Sequence, residues 1–518
     1  MSKRREIELK ATFQPEQLER IKDLPAIKKR AVGRTQSKTL ATVYFDTSDH
    51  ALRRQGLSLR VRKIGRAYIQ CVKRADKRLA GMLIRTEWEG PVPNEKPAIS
   101  VIDDKALRRQ IKHVSVEGLQ PIFKTNFRRG SRALRFDDGS TATLDIDVGE
   151  IIVGDKSESI CEFELELDSG GPEQLFGLAS EIRASVPFRL SSTSKASRGY
   201  ALVTNKDPQP VRHGKLGLPK YATMEDALAT LVQHCLDHLQ ANEAAVLATD
   251  DAEGVHQMRV ALRRLRAALR LFKSTLPEEQ YGWAMAEAKW LTGELAPARE
   301  WDVFAEEFVA PVAHLSPGDR CFEPLVAAVD RARQQSRQRA RDAVVTERYT
   351  DFLLQLGAWL SARAWRNQPV SETTARLLDP ISNDIAKLLK KRDRAVRSRG
   401  QDIATLSDTA LHELRLAVKR LRYAVDFFES FYPKKGVKAY RKHLARLQDG
   451  LGYLNDVAAA DSLLSKLASG DGEPSEPAWT YAGGLTVGWH RHAAIGAKEK
   501  LVDDMVAFLR TGPFWRGG

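Results

Sequence analysis

No apolar run in this 518-residue sequence approaches the roughly 18 residues needed to cross a bilayer, so no helical membrane span is expected. Cysteine is scarce. Cys71, Cys161, Cys235 and Cys321 stand far apart and no two form a CxxC pair, which excludes a disulfide framework and fits a reducing cytosol. Glycine-rich phosphate loops are missing as well. Gly149 and Gly154 are isolated turn glycines, and nothing has Walker A spacing. The opening Met-Ser-Lys-Arg-Arg-Glu leads straight into a charged strand without an apolar signal core, so a cytoplasmic protein is expected.

What the sequence has is charge. Charged residues make up 29% and hydrophobic residues 42%, the composition of globular domains, and the length suffices for two or three of them. A formal net charge of +15 points to a polyanionic partner: nucleic acid, phosphorylated metabolites, polyphosphate or an acidic surface. Charge alone does not choose among these.

From residue 1 to about 205, short alternating segments are separated by Gly, Pro, Asn and Asp turns, the pattern of an antiparallel sheet or barrel. In Glu6-Ile-Glu-Leu-Lys10 the alternation puts Glu6, Glu8 and Lys10 on one face. A half-exposed strand would explain that segment by itself. Further on, Leu57–Lys63 places Arg60 and Arg62 on one face, Tyr68–Lys73 supplies Lys73, and Glu87 and Glu89 share a side. Phe123–Arg129 offers Lys124, Arg128 and Arg129, Thr141–Val148 carries Asp145 and Asp147, and Glu162–Leu167 carries three carboxylates. Face after face is purely ionic. If the sheet closes, these faces line its interior, where charges need partners or ions because burying them alone costs several kcal/mol. Such a lining either pairs with itself or holds metal ions and a polyanion together.

The segments Glu6–Lys10, Tyr44-Phe-Asp-Thr47, Leu57–Arg62, Cys161-Glu-Phe-Glu-Leu-Glu166 and Ser194-Lys-Ala-Ser-Arg-Gly-Tyr200 resemble, in order, the CYTH family, also called triphosphate tunnel metalloenzymes. The resemblance implies an eight-stranded antiparallel β-barrel forming a tunnel. It implies hydrolysis of triphosphate-bearing substrates with Mg²⁺ or Mn²⁺. By position, Glu6, Glu8, Glu162 and Glu164 become metal ligands or position the metal-bound water. Lys10, Arg60, Arg62, Lys73, Arg129 and Lys195 grip phosphate oxygens, and Glu87 and Asp147 fill acidic catalytic positions beside Glu6, Glu8 and Lys10. Arg128 competes with Arg129 for its role, and Asp145 with Asp147.

Prolines and glycines concentrate over 204–220, which places a linker at 206–221. Beyond it the period becomes helical, over 222–510, followed by a tail at 511–518; a surface loop is expected at 469–478. Val255–Phe272 and Leu411–Phe428 are copies of one pattern 156 residues apart, so this half reads as two repeats, about 222–375 and 376–510. Met258, Leu262, Leu265, Leu269 and Phe272 form an apolar stripe, repeated by Leu414, Val418, Leu421, Val425 and Phe428. Opposite it run His256, Arg259, Arg263, Arg266 and Arg270, repeated by His412, Arg415, Lys419 and Arg422. A basic helix face is ordinarily just solvated. Two of them related by pseudo-symmetry would build one cationic surface for a linear polyanion, with a partly protonated His donating to phosphate.

This repeat resembles the CHAD family of helical domains, which implies binding of inorganic polyphosphate by His256, Arg259, Arg263, Arg264, Arg266, His412, Arg415, Lys419, Arg420 and Arg422. Lys419 departs from Arg263 of the first copy, and Asn455 from Arg299. The expected protein is therefore an α+β multidomain hydrolase: a β-tunnel acting on inorganic triphosphate, then an all-α tandem repeat binding polyphosphate, with association to polyphosphate granules. The order of motifs and the appended second domain most resemble bacterial inorganic triphosphatases. A nucleotide or thiamine triphosphatase and a non-catalytic polyphosphate-binding protein are the alternatives. Few aromatics are interleaved among the basic positions, so stacking on nucleic-acid bases has little to work with.

Overall fold

The computed structural model describes residues 4–79, 82–114, 118–315, 320–468 and 477–516. Its contacts divide the chain into two units, Met1–Gln209 with Val344–Trp365, and Pro210–Ala343 with Arg366–Gly518. The loop expected at 469–478 lies outside the described residues up to 476, and a helix, Pro477–Arg510, begins immediately after them.

In the first unit every alternating segment expected above falls within one antiparallel sheet. Its strands are β1 (Arg4–Phe13), β2 (Ala31–Asp46), β3 (Leu57–Ile64), β4 (Ala67–Leu79), β5 (Met82–Val92), β6 (Gln120–Arg135), β7 (Thr141–Val153), β8 (Lys156–Ser169) and β9 (Phe188–Leu190), in the order β5-β4-β3-β2-β6-β7-β8-β1-β9. The expectation of a closed eight-stranded barrel is corrected here: the sheet has nine strands. The additional one is three residues long, too short to show alternation, and adds to the end of β1 through Ala11↔Leu190 and Phe13↔Phe188. The beginning of β1 hydrogen-bonds β5, from Arg4↔Glu87 to Glu8↔Leu83.

Both faces of β1 are buried. Leu9, Ala11 and Phe13 are 2%, 0% and 6% exposed, and Glu6, Glu8 and Lys10 are 6%, 2% and 3% exposed. An ordinary half-exposed strand is thereby ruled out for this segment. Phe13, Phe163 and Phe188 pack their rings on the apolar side. Helix Lys195–Thr204, N-capped by Ser194, lies against β6 and β7. Gly199 permits this approach, since a Cβ there would collide with the Phe123 ring. The approach brings Lys195 into the ionic face.

Helix Glu347–Ser361 lies inside the first repeat as bounded from the sequence, 222–375, which is expected to be part of the helical domain, yet it belongs to this first unit. It packs on helix Glu173–Arg183 and on β9. Arg183 Nη2 lies 2.7 Å from Glu347 and its Nε 3.4 Å from Asp351, while the Thr350 hydroxyl donates to the Phe188 carbonyl at 3.4 Å. The helix's own Phe352, Leu353 and Leu356 are buried.

The second unit is helical. Helices Ala252–Leu271 and Asp408–Phe428 bury the two apolar stripes completely, with every stripe residue at most 2% exposed. The copies then diverge. Where the second has one continuous helix, Lys434–Ala468, the first is broken into Glu278–Glu294 and Ala296–Val303, followed by a π-turn over Phe304–Val309. Pro297, lacking an amide hydrogen, sits in the first turn of the second piece; the offset puts Tyr453 at that place in the second copy. Phe514 and Trp515 pack around Tyr440 within this unit.

Candidate functional sites: an ion-paired pocket and a basic helix face

The ionic faces of the sheet enclose a cavity of about 210 Å³. Glu6, Glu8, Lys10, Arg60, Arg62, Lys73, Arg129, Glu164 and Lys195 line it, with Tyr44, Arg53, Ser58, Phe127 and Tyr200. The expected triphosphate-binding cations thus converge. Lys10 Nζ lies 2.6 Å from Glu162, Lys73 2.8 Å from Glu6 and 3.3 Å from Glu87, and Arg60 3.4 Å from Glu87. Lys195 meets Asp147 at 2.7 Å and Glu164 at 3.0 Å, and also contacts Glu162. Arg129 reaches Asp147 at 2.5 Å and Glu164 at 2.6 Å, and bonds Asp145 as well. Its neighbour Arg128 turns the other way, donating to Ser37 at 2.9 Å, as strand alternation requires. Asp145 and Asp147 both serve Arg129.

The charges hold one another ionised. Burial alone would raise Glu164 and Asp147, but Lys195 and Arg129 outweigh it and keep both below the usual carboxylate range. Likewise burial opposes ionisation of Glu87, yet Lys73 and Arg60 hold it down at about 2. Asp145 goes the other way, raised by burial despite Arg129. Arg62 is lowered to about 10, first by burial and then by Arg60 and Arg129; its Nε donates to Thr42 at 3.3 Å. Lys10 is lowered by burial and by the neighbouring Lys195.

Three carboxylates, Asp147, Glu162 and Glu164, have ligand oxygens within 4.8 Å of one another. This all-oxygen set suits a hard divalent cation such as Mg²⁺ or Mn²⁺. Asp147 joins Glu162 and Glu164 in it, whereas Glu6 is committed to Lys73. Two residues that bond the expected acids were missed from the sequence. Arg198 donates to Glu162 at 3.2 Å; it follows Lys195 by three positions on one helix, a spacing that puts both on one face. Cys71 donates its thiol to Glu87 at 2.9 Å, and burial and Glu87 help push that thiol up to about 12. Nothing in the sequence marked it.

In the helical unit, Arg259, Arg263, Arg415 and Lys419 act on one another electrostatically across the two repeat helices. Burial first, then Arg415 and Arg263, depress Lys419 to about 7. Arg259 falls to about 10 through burial and Arg263, with Glu300 opposing; Asp456, 156 residues on, does the same for Arg415. His256 is pushed down to about 4, by burial and then Arg299, so it is neutral at pH 7 rather than partly protonated. His412 instead contacts Asn455, Nδ1 to Oδ1, at 3.2 Å. Arg266 and Arg422 are half-buried on their helices, and Arg420 is exposed. Arg264 departs from the group. It is 2% exposed, with its guanidinium 5.0 Å over the Phe427 ring, because its spacing from Ala261 and Ala268 places it on the buried side.

The model of the CYTH domain matches residues 4–200, and that of the CHAD domain residues 230–465. The chain is 32% identical to an inorganic triphosphatase of Haemophilus influenzae over 168 residues, spanning 32% of this chain and about half, 47%, of that protein. It is 25% identical over 425 residues to an uncharacterized protein of Mycobacterium tuberculosis, covering 76% of each. Among solved structures, the CHAD domain from the plant Ricinus communis is 30% identical with a TM-score of 0.50, covering 59% of this chain and 98% of that one. The ionic pocket and the paired basic helices are thus parts of two recognised domains, and the chain belongs to the proteins in which a CYTH domain precedes a CHAD domain.

Proposed function

We propose that the pocket hydrolyses inorganic triphosphate with Mg²⁺ or Mn²⁺, and that the basic face of the helical unit binds inorganic polyphosphate. The observation that carries the first part is the interleaving of buried acids and bases in one cavity. Lys10, Arg60, Arg62, Lys73, Arg129 and Lys195 supply donors for phosphate oxygens, each charge-assisted. Asp147, Glu162 and Glu164, with Glu8 alongside, would hold the divalent cation, which neutralises phosphate charge when bound. Phosphoryl transfer needs positioning and charge stabilisation more than a protein nucleophile. Water adds to the terminal phosphorus, the bridging P–O bond breaks and pyrophosphate leaves; Glu6 and Glu8 orient the water, and Lys10 stabilises the charge that develops. A pure binding site would gain from bases alone, and the buried acids would only weaken it.

The pocket's aromatics favour an inorganic substrate over a nucleotide. Tyr44 stacks on Phe123 with ring centroids 4.4 Å apart, Tyr200 lies under Arg53, and Phe127 lies under Arg129 and Lys195. Each ring is engaged by the protein itself. Comparing hydrolysis of tripolyphosphate, ATP and thiamine triphosphate tests the assignment. A clear preference for tripolyphosphate is expected, and preference for either organic triphosphate refutes it.

For the helical unit, four mutually repelling cations on two symmetry-related helices support an anionic ligand whose binding relieves the repulsion. Binding of long-chain polyphosphate that weakens steeply with salt, and a weaker competition by RNA, is the expected behaviour. On the same reading we infer a cytoplasmic protein associated with polyphosphate granules.

A further inference from the structure

We infer that Arg53 forms an additional phosphate-binding position at one end of the pocket, so that the site accepts linear inorganic phosphate chains longer than three units. This rests on the reading of the pocket as a phosphoanhydride site, and deepens it.

Arg53 lines the cavity but comes from outside the sheet, from the short helix Ala51–Arg54 that leads into β3. Among the described residues it has no carboxylate partner, unlike Lys10, Arg60, Lys73, Arg129 and Lys195 in the same cavity. It is held in place nonetheless. Its guanidinium sits 4.8 Å from the Tyr200 ring centroid, and its Nη1 donates to the Tyr200 carbonyl at 3.3 Å. Its backbone amide donates to Asp46 Oδ2 at 3.0 Å, and the Tyr200 hydroxyl donates to the same oxygen at 2.6 Å. Asp46, fully buried, also accepts from the Thr47 and Leu52 amides. The acid that frames Arg53 is therefore spent on backbone and phenol donors, and the guanidinium keeps its charge for a ligand. A framework of this kind holds a recognition group in one geometry before the ligand arrives.

Position decides what that ligand is. Ser58, Arg60 and Arg62 alternate along one face of β3, so the row spans about 13 Å. Arg53 precedes it at the Ser58 end, the chain turning at Gly56 with φ of +72°. Successive phosphorus atoms in a phosphoanhydride chain lie closer together than one strand residue's rise. The end phosphorus atoms of triphosphate therefore span less than two residues, and the row from Arg62 to Ser58 is four residues long before Arg53 is added. Because Arg53 covers the Tyr200 ring, this end presents a cation and not a stacking surface, which fits another phosphate and not a nucleoside.

The test uses the full-length protein and compares kcat/KM for tetrapolyphosphate and tripolyphosphate in wild type, Arg53→Gln and Arg53→Lys. One charge-assisted contact made only by the longer chain predicts a tetrapolyphosphate-to-tripolyphosphate ratio reduced about tenfold in Arg53→Gln, mostly through KM, and largely restored in Arg53→Lys. Arg53 is exposed, so both variants are expected to melt with the wild type. An unchanged ratio in Arg53→Gln, with wild type still active on tripolyphosphate, overturns this inference and leaves the parent reading standing. A wild type inactive on both chains overturns the two together.

Discussion

Lys195 Nζ lies 2.7 Å from Asp147 Oδ2, joining the first residue of a helix to the middle of a strand in a cavity where both are buried. The same ammonium contacts Glu162 and Glu164. With Arg129 it holds Asp147 and Glu164 below the usual carboxylate range despite their burial. Replacing Lys195 by Met strands buried carboxylates and is expected to cost roughly 3–5 kcal/mol of stability, measured as a shift in the urea midpoint.

Acid stability follows from the same group. Asp147 and Glu164 have folded pKa values below their ordinary ones, so their stabilisation is complete above the ordinary carboxylate range and is lost as pH falls through the lowered values. Wild type should keep its stability down to about pH 4 and lose it below. Lys195→Met should start from a lower plateau and show a shallower loss below about pH 4, because carboxylates whose folded values return toward their ordinary ones no longer lose stability on protonation. Urea unfolding from pH 3 to 7 separates the two curves, and superimposable profiles contradict the role given to Lys195.

On the proposed reading of the basic face, Lys419, lowered to about 7 by burial, Arg415 and Arg263, is expected to set the pH dependence of polyphosphate binding. A bound polyanion favours its protonated form, so binding above pH 7 takes up a proton. Kd should rise by up to about tenfold per pH unit between the free and bound pKa values. Titration calorimetry in buffers of different ionisation enthalpy measures that uptake directly, and Lys419→Arg should flatten the profile.

Arg264 and Arg420 occupy equivalent places in the two repeats but not equivalent environments. Arg264→Ala removes a buried side chain stacked on Phe427 and should cost about 2–4 kcal/mol, whereas Arg420→Ala should stay within about 0.5 kcal/mol. Conversely, the salt dependence of polyphosphate binding should change for Arg420→Ala alone.

Helix Glu347–Ser361 gives a test of how the chain is divided. Leu356 is fully buried in the unit that holds the pocket, so Leu356→Ala is expected to destabilise it by about 2–5 kcal/mol. A chain cut after Gln209 lacks this helix and should be markedly more sensitive to protease than the same residues in the full protein.

The sequence made the strands legible because alternation survives wherever one face is ionic and the other apolar; Glu6–Lys10 and Glu162–Leu167 are such cases. The pocket cations were legible for the same reason, and alternation also separates Arg129 from Arg128. Three features were hidden, each for a physical cause. β9 is shorter than one full alternation. Helix Glu347–Ser361 shows an amphipathic period, and a period says nothing about which unit its apolar face will cover. Arg264 reads as one more base in a basic run until the helix rotation between Ala261 and Ala268 is drawn. Arg198 and Arg53 entered the site through helices, where spacing of three or four residues replaces the twofold pattern that exposed the rest.

The most direct test of the central claim is phosphate release from tripolyphosphate by the full-length protein, with and without Mg²⁺ or Mn²⁺, in wild type and in Glu6→Gln/Glu8→Gln. The account predicts release that requires the metal and is lost in the double variant. A folded wild type that releases no phosphate, or a double variant as active as wild type, contradicts it.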